Sequence, residues 1–129
     1  MIFDVRVYKV SMESPGYTAL DITAHVSEVV REAGLQKGLA VVYSAEEDCA
    51  VIEIEYEPNL LLDLETFLKR IGCVDARVCD IVLGRSAVIP VVNISLFLGQ
   101  FKNVVFVDLS KKPGNKSLVV VLEGIFKDD

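Results

Sequence analysis

Tryptophan is absent from this chain, and histidine occurs once, at His25. An imidazole titrates near neutral pH and is the usual general acid, base and metal ligand, so a catalytic or metal-binding domain ordinarily carries several. Three cysteines (Cys49, Cys73, Cys79) form no CxxC and leave one over in any pairing scheme, which reads as reduced and intracellular. Long apolar runs are missing too. Leu118 to Leu122 falls far short of the ~20 residues that span a bilayer, so no membrane segment is expected. Basic residues are few: 13 Lys and Arg stand against 19 Asp and Glu, a formal net charge of −6. That balance argues against nucleic acid or an anionic membrane as partner, since both demand a basic surface. Alternation starts at the first residues, so no signal peptide is expected and the compartment reads as cytoplasmic.

What the chain does have is apolar material. Hydrophobic residues make up 52% and the mean hydropathy is +0.44, ample for a core with some surplus for burial between subunits. At 129 residues, one domain over 1–129 is expected on a prior of ~100–200 residues per domain.

Phe3, Val5 and Val7 alternate with Asp4, Arg6 and Tyr8, the period-2 mark of a half-buried strand, until Ser14-Pro15-Gly16 breaks it. Thr18 with Asp21 has the form of a capping box opening a helix. Ile22, Val26, Val29, Val30 and Ala33 form that helix's apolar stripe, and Gly34 closes it. Leu39 to Tyr43 and Ala50 to Tyr56 read as strands joined by a hairpin through Ala45-Glu46-Glu47-Asp48. Glu57-Pro58 starts a second helix, with Leu60, Leu61, Leu64, Phe67, Leu68 and Ile71 as its buried stripe. Val74, Val78, Ile81 and Val82 predict a short third helix closed by Gly84. Strands over Ala87 to Asn93, Val104 to Leu109 and Leu118 to Phe126 follow, the last two joined by a hairpin at Lys112-Pro113-Gly114-Asn115. Two to three helices among hairpin-length connections predict an α+β fold with a mixed, mostly antiparallel sheet.

Chemistry-bearing candidates are sparse. Glu46, Glu47 and Asp48, with Glu53 and Glu55 on the next strand, are oxygen donors for a hard cation, or simply a solvated turn and polar sheet face. No cofactor is expected, and a divalent cation is the minor reading. His25 borders an apolar stripe without a visible Cys or Ser partner, which favours packing over catalysis. Asp63 flanks the second helix's stripe with Arg70 two turns on, a helix-flank charge or a carboxylate held at a cleft. Lys111, Lys112 and Lys116 surround the last turn, either to hold a phosphate or as a solvated tip.

Taken in order, several segments resemble the YjbQ-like family, also called the secondary thiamine-phosphate synthase family. They are Gly38-Leu-Ala-Val-Val-Tyr43, Ala50-Val51, Glu55-Tyr56-Glu57-Pro58, Leu61-Leu62-Asp63-Leu64, Leu83-Gly84-Arg85-Ser86, Ile89-Pro90-Val91, Leu96-Phe97-Leu98-Gly99 and Asn103-Val104-Val105-Phe106. The likeness runs from about Asp21 to Gly124. It implies an α+β fold, a homotrimer with interfacial pockets, and a weak thiamine-phosphate synthase activity. This chain departs from the family where chemistry would sit. Glu46-Glu47-Asp48 stands where the family carries His-Thr-Thr, Ile54 replaces an asparagine, Arg77 a histidine and Cys73 an asparagine. Gln100-Phe101-Lys102 replaces Thr-Trp-Gln, and Lys116-Ser117 the late arginine region. Of the polar set Glu55 and Asp63 remain, and His25 aligns with no family histidine.

The expectation is therefore a homotrimer with a degenerate or rebuilt pocket and little or no catalysis. Glu46, Glu47, Arg77 and Lys102 would line that pocket, with Glu55 and Asp63 as relics. The competing expectation is an enzyme with thiamine-phosphate-synthase-like or other phosphate-linked activity, in which Asp63 and Glu55 hold a cation and Lys102 an anionic group. A hetero-oligomer with a paralogue that supplies the missing groups is the alternative assembly.

Overall fold

The computed structural model describes residues 1–73 and 75–128. Val74, assigned above to the third helix's stripe, lies outside them. In chain order the elements are β1 (Ile2–Ser14), β2 (Thr18–Asp21), α1 (Thr23–Ala33), β3 (Leu35–Tyr43), β4 (Cys49–Ile54), α2 (Pro58–Arg70), α3 (Ala76–Leu83), β5 (Ser86–Val92), β6 (Ser95–Leu96), β7 (Asn103–Asp108) and β8 (Gly114–Phe126). The strands form a five-stranded sheet ordered β1-β8-β3-β5-β6 and a three-stranded sheet ordered β2-β7-β4. Every ladder among the described residues is antiparallel. The α+β architecture with largely antiparallel strands is thus as expected.

Alternation gives each sheet two faces, and only one face of each meets the shared core. Ala40, Val42, Ile89, Val91, Val120, Leu122 and Phe126 face inward from the larger sheet. Cys49, Val51, Val104 and Phe106 meet them from the smaller one, with Ile22, Val26 and Val30 packed in from α1 and its approach. Each such large side chain contributes about 1.5–3 kcal/mol by leaving water. The smaller sheet's other face carries Ala50, Val105 and Val107, and α2 and α3 lie over it through Leu64, Leu68, Cys79 and Leu83.

Among the described residues, no other element covers the larger sheet's outer face. Phe3 (64% exposed), Val5 and Val7 (66%) lie on this bare side. The inward face of β1 is instead Tyr8, Val10 and Met12, packed on the core. Arg6 completes it, its guanidinium 4.0 Å from the Phe126 ring centroid and donating to the Ala33 carbonyl at the end of α1.

Several local expectations are corrected. Thr18 belongs to strand β2, not to a capping box; Asp21 accepts the Thr23 amide at 3.0 Å, and α1 begins at Thr23. Neither expected hairpin exists. The segment at Glu46–Asp48 carries the chain from the larger sheet to the smaller, and the one at Lys112–Pro113 carries it back, so their flanking strands never pair. In α2 only Leu68 is fully buried, while Phe67 and Ile71 are exposed. In α3 the expected stripe faces outward: Val78, Ile81 (74%) and Val82 are exposed, and Cys79 and Asp80 point in. His25 is exposed on α1 instead of packed.

Where β3 crosses β8, Gly38 and Gly124 face each other on the inward side. A Cβ on Gly124 would stand 2.1 Å from the Lys37 carbonyl oxygen and 2.7 Å from the Gly38 Cα, both backbone atoms that cannot swing aside. Gly124→Ala is therefore expected to destabilise the protein by about 2–3 kcal/mol, read from the midpoint of urea unfolding, whereas an unchanged midpoint would show that the strands separate freely here.

Candidate functional site

The residues singled out from sequence do not converge on one point. Glu46 is half-buried in the β3–β4 crossover, where its carboxylate accepts the Ser117 hydroxyl at 3.3 Å. Arg77, in the first turn of α3, forks onto Asp75 at 2.8 and 3.2 Å. That pairing, with Asp48 and Glu47 further off, holds its guanidinium above its ordinary value. Arg77 and the acidic crossover thus share a neighbourhood. Glu55 precedes α2, Asp63 lies on its exposed face, and neither side chain has a hydrogen-bond or ion-pair partner among the described residues. Lys102 is exposed before β7, its side chain against Gly99. Among the described residues no three His, Cys, Asp or Glu side chains gather at metal-binding geometry.

Two buried carboxylates went unnoticed in the sequence. Asp80, 1% exposed, receives Arg85 at 2.6 Å, and Arg85 also donates to the Glu46 carbonyl at 3.0 Å. This ties α3 to the β3–β4 crossover, close to Ser44, whose amide donates to the Arg85 carbonyl. Asp108, also 1% exposed, ends β7. It accepts the Ser14 hydroxyl at 2.6 Å, the Ser110 hydroxyl at 2.6 Å and the Ser110 amide at 2.9 Å, with the Lys116 ammonium 3.8 Å away. Burial pushes its pKa up, but the bonds from Ser110, Ser14 and Cys49 outweigh that and hold it below 3.8. The only sequence signal was an acid ending the apolar run Val104-Val105-Phe106-Val107.

Beside Asp108 an open cavity of ≈ 970 Å³ separates α2 and α3 from the smaller sheet. Asp48 lines it, but Glu46, Glu47, Glu55, Asp63, Arg77 and Lys102 do not. Cys73 and Cys79 are on its wall and are joined as a disulfide, which corrects the reading of three reduced thiols. Cys49 stays a free, buried thiol. Its burial, with Asp108 alongside, pushes it up to about 12.

These features define an α+β protein of two antiparallel sheets, with helices over one outer face only and its buried acids at the crossovers. The family described as UPF0047 protein YjbQ-like matches residues 8–124, an earlier start than the likeness read from Asp21. The chain belongs to that family, whose function is unknown. A UPF0047 protein from Methanothermobacter thermautotrophicus is 30% identical over 118 residues, 81% of this chain and 82% of that protein. Among solved structures, a structural-genomics target from C. acetobutylicum superposes with a TM-score of 0.83 at 23% identity, covering 92% of this chain and 99% of that one. A YbjQ-like protein of unknown function from Sulfolobus solfataricus P2 gives 0.82 at 22% identity, with 95% and 100% covered. A hypothetical protein from Aeropyrum pernix K1 gives 0.74 at 28% identity, with 96% and 99% covered.

Two predictions follow from the buried groups. Because Asp108 lies below 3.8 in the folded chain, its stabilisation is whole above that value and is lost as pH falls through the folded pKa. Asp108→Asn should cost about 3 kcal/mol at neutral pH, and that difference should shrink as the pH is lowered through the acid range below 3.8 in urea titrations; a pH-independent difference would contradict the role of the charge. Iodoacetamide on the native, unreduced protein is expected to label no cysteine. After mild reduction, mass spectrometry should find adducts on Cys73 and Cys79 but none on Cys49, because so little of a thiol with a pKa of about 12 is thiolate at neutral pH.

Proposed function

We propose that this chain acts as a homotrimer with a rebuilt interfacial pocket and little or no catalysis, a binding or structural member of its family. The observation that carries self-association is the bare outer face of the larger sheet. Across β1, β8 and β3 it presents registered rows, Phe3–Ile125–Lys37 and Val7–Val121–Val41, interrupted by Glu123. β5 extends the second row with Val88. Four strands and seven residues cover roughly 450 Å² of sheet plane, apolar apart from Lys37 and Glu123 and in the ~300–600 Å² range of surface patches that are often functional. β1 is also a 13-residue edge strand with one side unpaired, a template for another chain. A second copy of this chain is the partner of matching chemistry, and three copies close into a ring when this face of one protomer meets a different surface of the next.

The rebuilt pocket is supported by the charges at Glu46 and Arg77, the two positions where the resemblance expects histidines, with Glu47 beside them. A carboxylate there repels a phosphate that a neutral imidazole would tolerate. A paralogue that brings its own histidines to a mixed trimer is the other assembly.

Sedimentation velocity is expected to show a three-chain species, with Val7→Arg and Val88→Arg each shifting it to monomer while leaving the fold intact, because both residues are exposed in the single chain. A monomeric wild type, or a trimer indifferent to both changes, would sink the assembly. Thermal-shift titration with thiamine precursors, phosphate and Mg²⁺ should stay flat; saturable stabilisation of ~2–3 kcal/mol by a thiamine precursor would instead establish the enzymatic alternative.

A further inference from the structure

The cavity under α2 is lined by residues of a single chain, and its construction suits a small molecule. Its ≈ 970 Å³ falls in the ~300–1,000 Å³ typical of ligand sites. The walls are apolar, with Leu61, Leu64 and Leu68 from α2, Leu83 from α3, and Val107 and Leu109 from the smaller sheet and its exit. Most of its polar groups are already occupied. Asp108 is held by the two serines and Lys116. Tyr17 donates to Glu65 at 2.6 Å, Tyr56 donates to the Ala19 carbonyl at 2.8 Å, and Lys69 stands 4.0 Å from Glu65. Asp48 keeps one buried carboxylate oxygen unpartnered, an acceptor for a water or a ligand hydroxyl.

Lys111 and Lys112 are different. Both line the cavity, both are exposed, and neither makes an ion pair among the described residues. Their backbone is held in place. Gly16, with φ +81°, packs so closely that a Cβ there would stand 3.2 Å from Lys111 C and from Lys112 N and C. The Tyr17 amide donates to the Ser110 carbonyl at 2.6 Å on the same segment. Of the three lysines around this turn, Lys116 alone is turned inward to a carboxylate.

We propose that this cavity binds an amphipathic anion, with an acyl or aryl body between α2 and the smaller sheet and a carboxylate or phosphate head at Lys111 and Lys112. An apolar trough with two unpaired cations on one border selects for both halves of such a molecule at once, and a neutral lipid satisfies only the trough. The site lies within one chain and does not depend on the assembly proposed above.

Calorimetric titration of the full chain with laurate, dodecyl phosphate and dodecanol tests it, and the ratio of the first two affinities separates carboxylate from phosphate as the preferred head. Both anions are expected to bind saturably at one per chain. The double variant Lys111→Glu with Lys112→Glu should weaken both at least about tenfold and leave dodecanol within about twofold, as expected when charge recognition is lost. Ala76→Phe, projecting from the cavity wall, should weaken all three ligands. Should that variant fail to fold by circular dichroism, the exposed lysine pair still decides. Val7→Arg, on the bare sheet face, should change none of them. Failure of both anions to bind saturably, binding indifferent to the lysine reversal, or binding abolished by Val7→Arg would each overturn the proposal.

Discussion

Every other feature of this molecule depends on one constraint: two antiparallel sheets share a single core, and the chain owns enough helix to cover only one of the two outer faces. Phe106, Phe126, Leu122 and Ile89 fill the middle from both sides. α2 and α3 shield the smaller sheet, and α1 closes the core between the sheets. The larger sheet's far side then has no cover among the described residues, though Phe3, Val5 and Val7 lie there. High hydropathy is thus distributed between a core and a surface of the protomer, and the surface share has the chemistry of an interface.

Buried charge follows the same constraint. A chain that alternates between sheets must cross their ends, where ladders stop and backbone groups need other partners. The β3–β4 crossover is held by Asp80, Arg85 and the Glu46 carbonyl, and the β7–β8 crossover by Asp108, Ser110, Ser14 and Lys116. Each replaces a missing ladder by charge-assisted hydrogen bonds, which are strong enough to keep a carboxylate inside. The cavity opens between them because α2 meets the smaller sheet through a few leucines and stands off elsewhere. Its two unpaired lysines sit on the segment that the second crossover creates.

Much of the local structure was legible. Glu57 caps α2 by accepting the Asn59 and Leu60 amides, with Pro58 at the first turn, and Gly34 closes α1 in the left-handed region, as their types and positions imply. Pairing was not legible. Lys112-Pro113-Gly114 does turn the chain, but a turn does not specify which strand it delivers to, and here it changes sheet. Facing was ambiguous wherever both sides carried apolar residues. In β1 the inward choice fell to Tyr8, Val10 and Met12 over the equally apolar Phe3, Val5 and Val7. In α3, Cys79 and Asp80 turned inward against the Val78, Ile81 and Val82 stripe, because Arg85 satisfies the acid and Cys79 bonds Cys73. The candidate site suffered most, since Asp108 and the cavity need long-range neighbours to be recognised at all.

Sequence alone determined the class of fold and the position of most elements, because propensity, capping and alternation act over a few residues and leave their record there, and its ordered motifs carried the resemblance to the family. Only the tertiary structure decided which strands pair, which face of β1 and α3 is buried, that Cys73 and Cys79 meet, and that Lys111 and Lys112 border an apolar cavity. Those outcomes rest on contacts between residues far apart in the chain, and neither spacing nor composition records them.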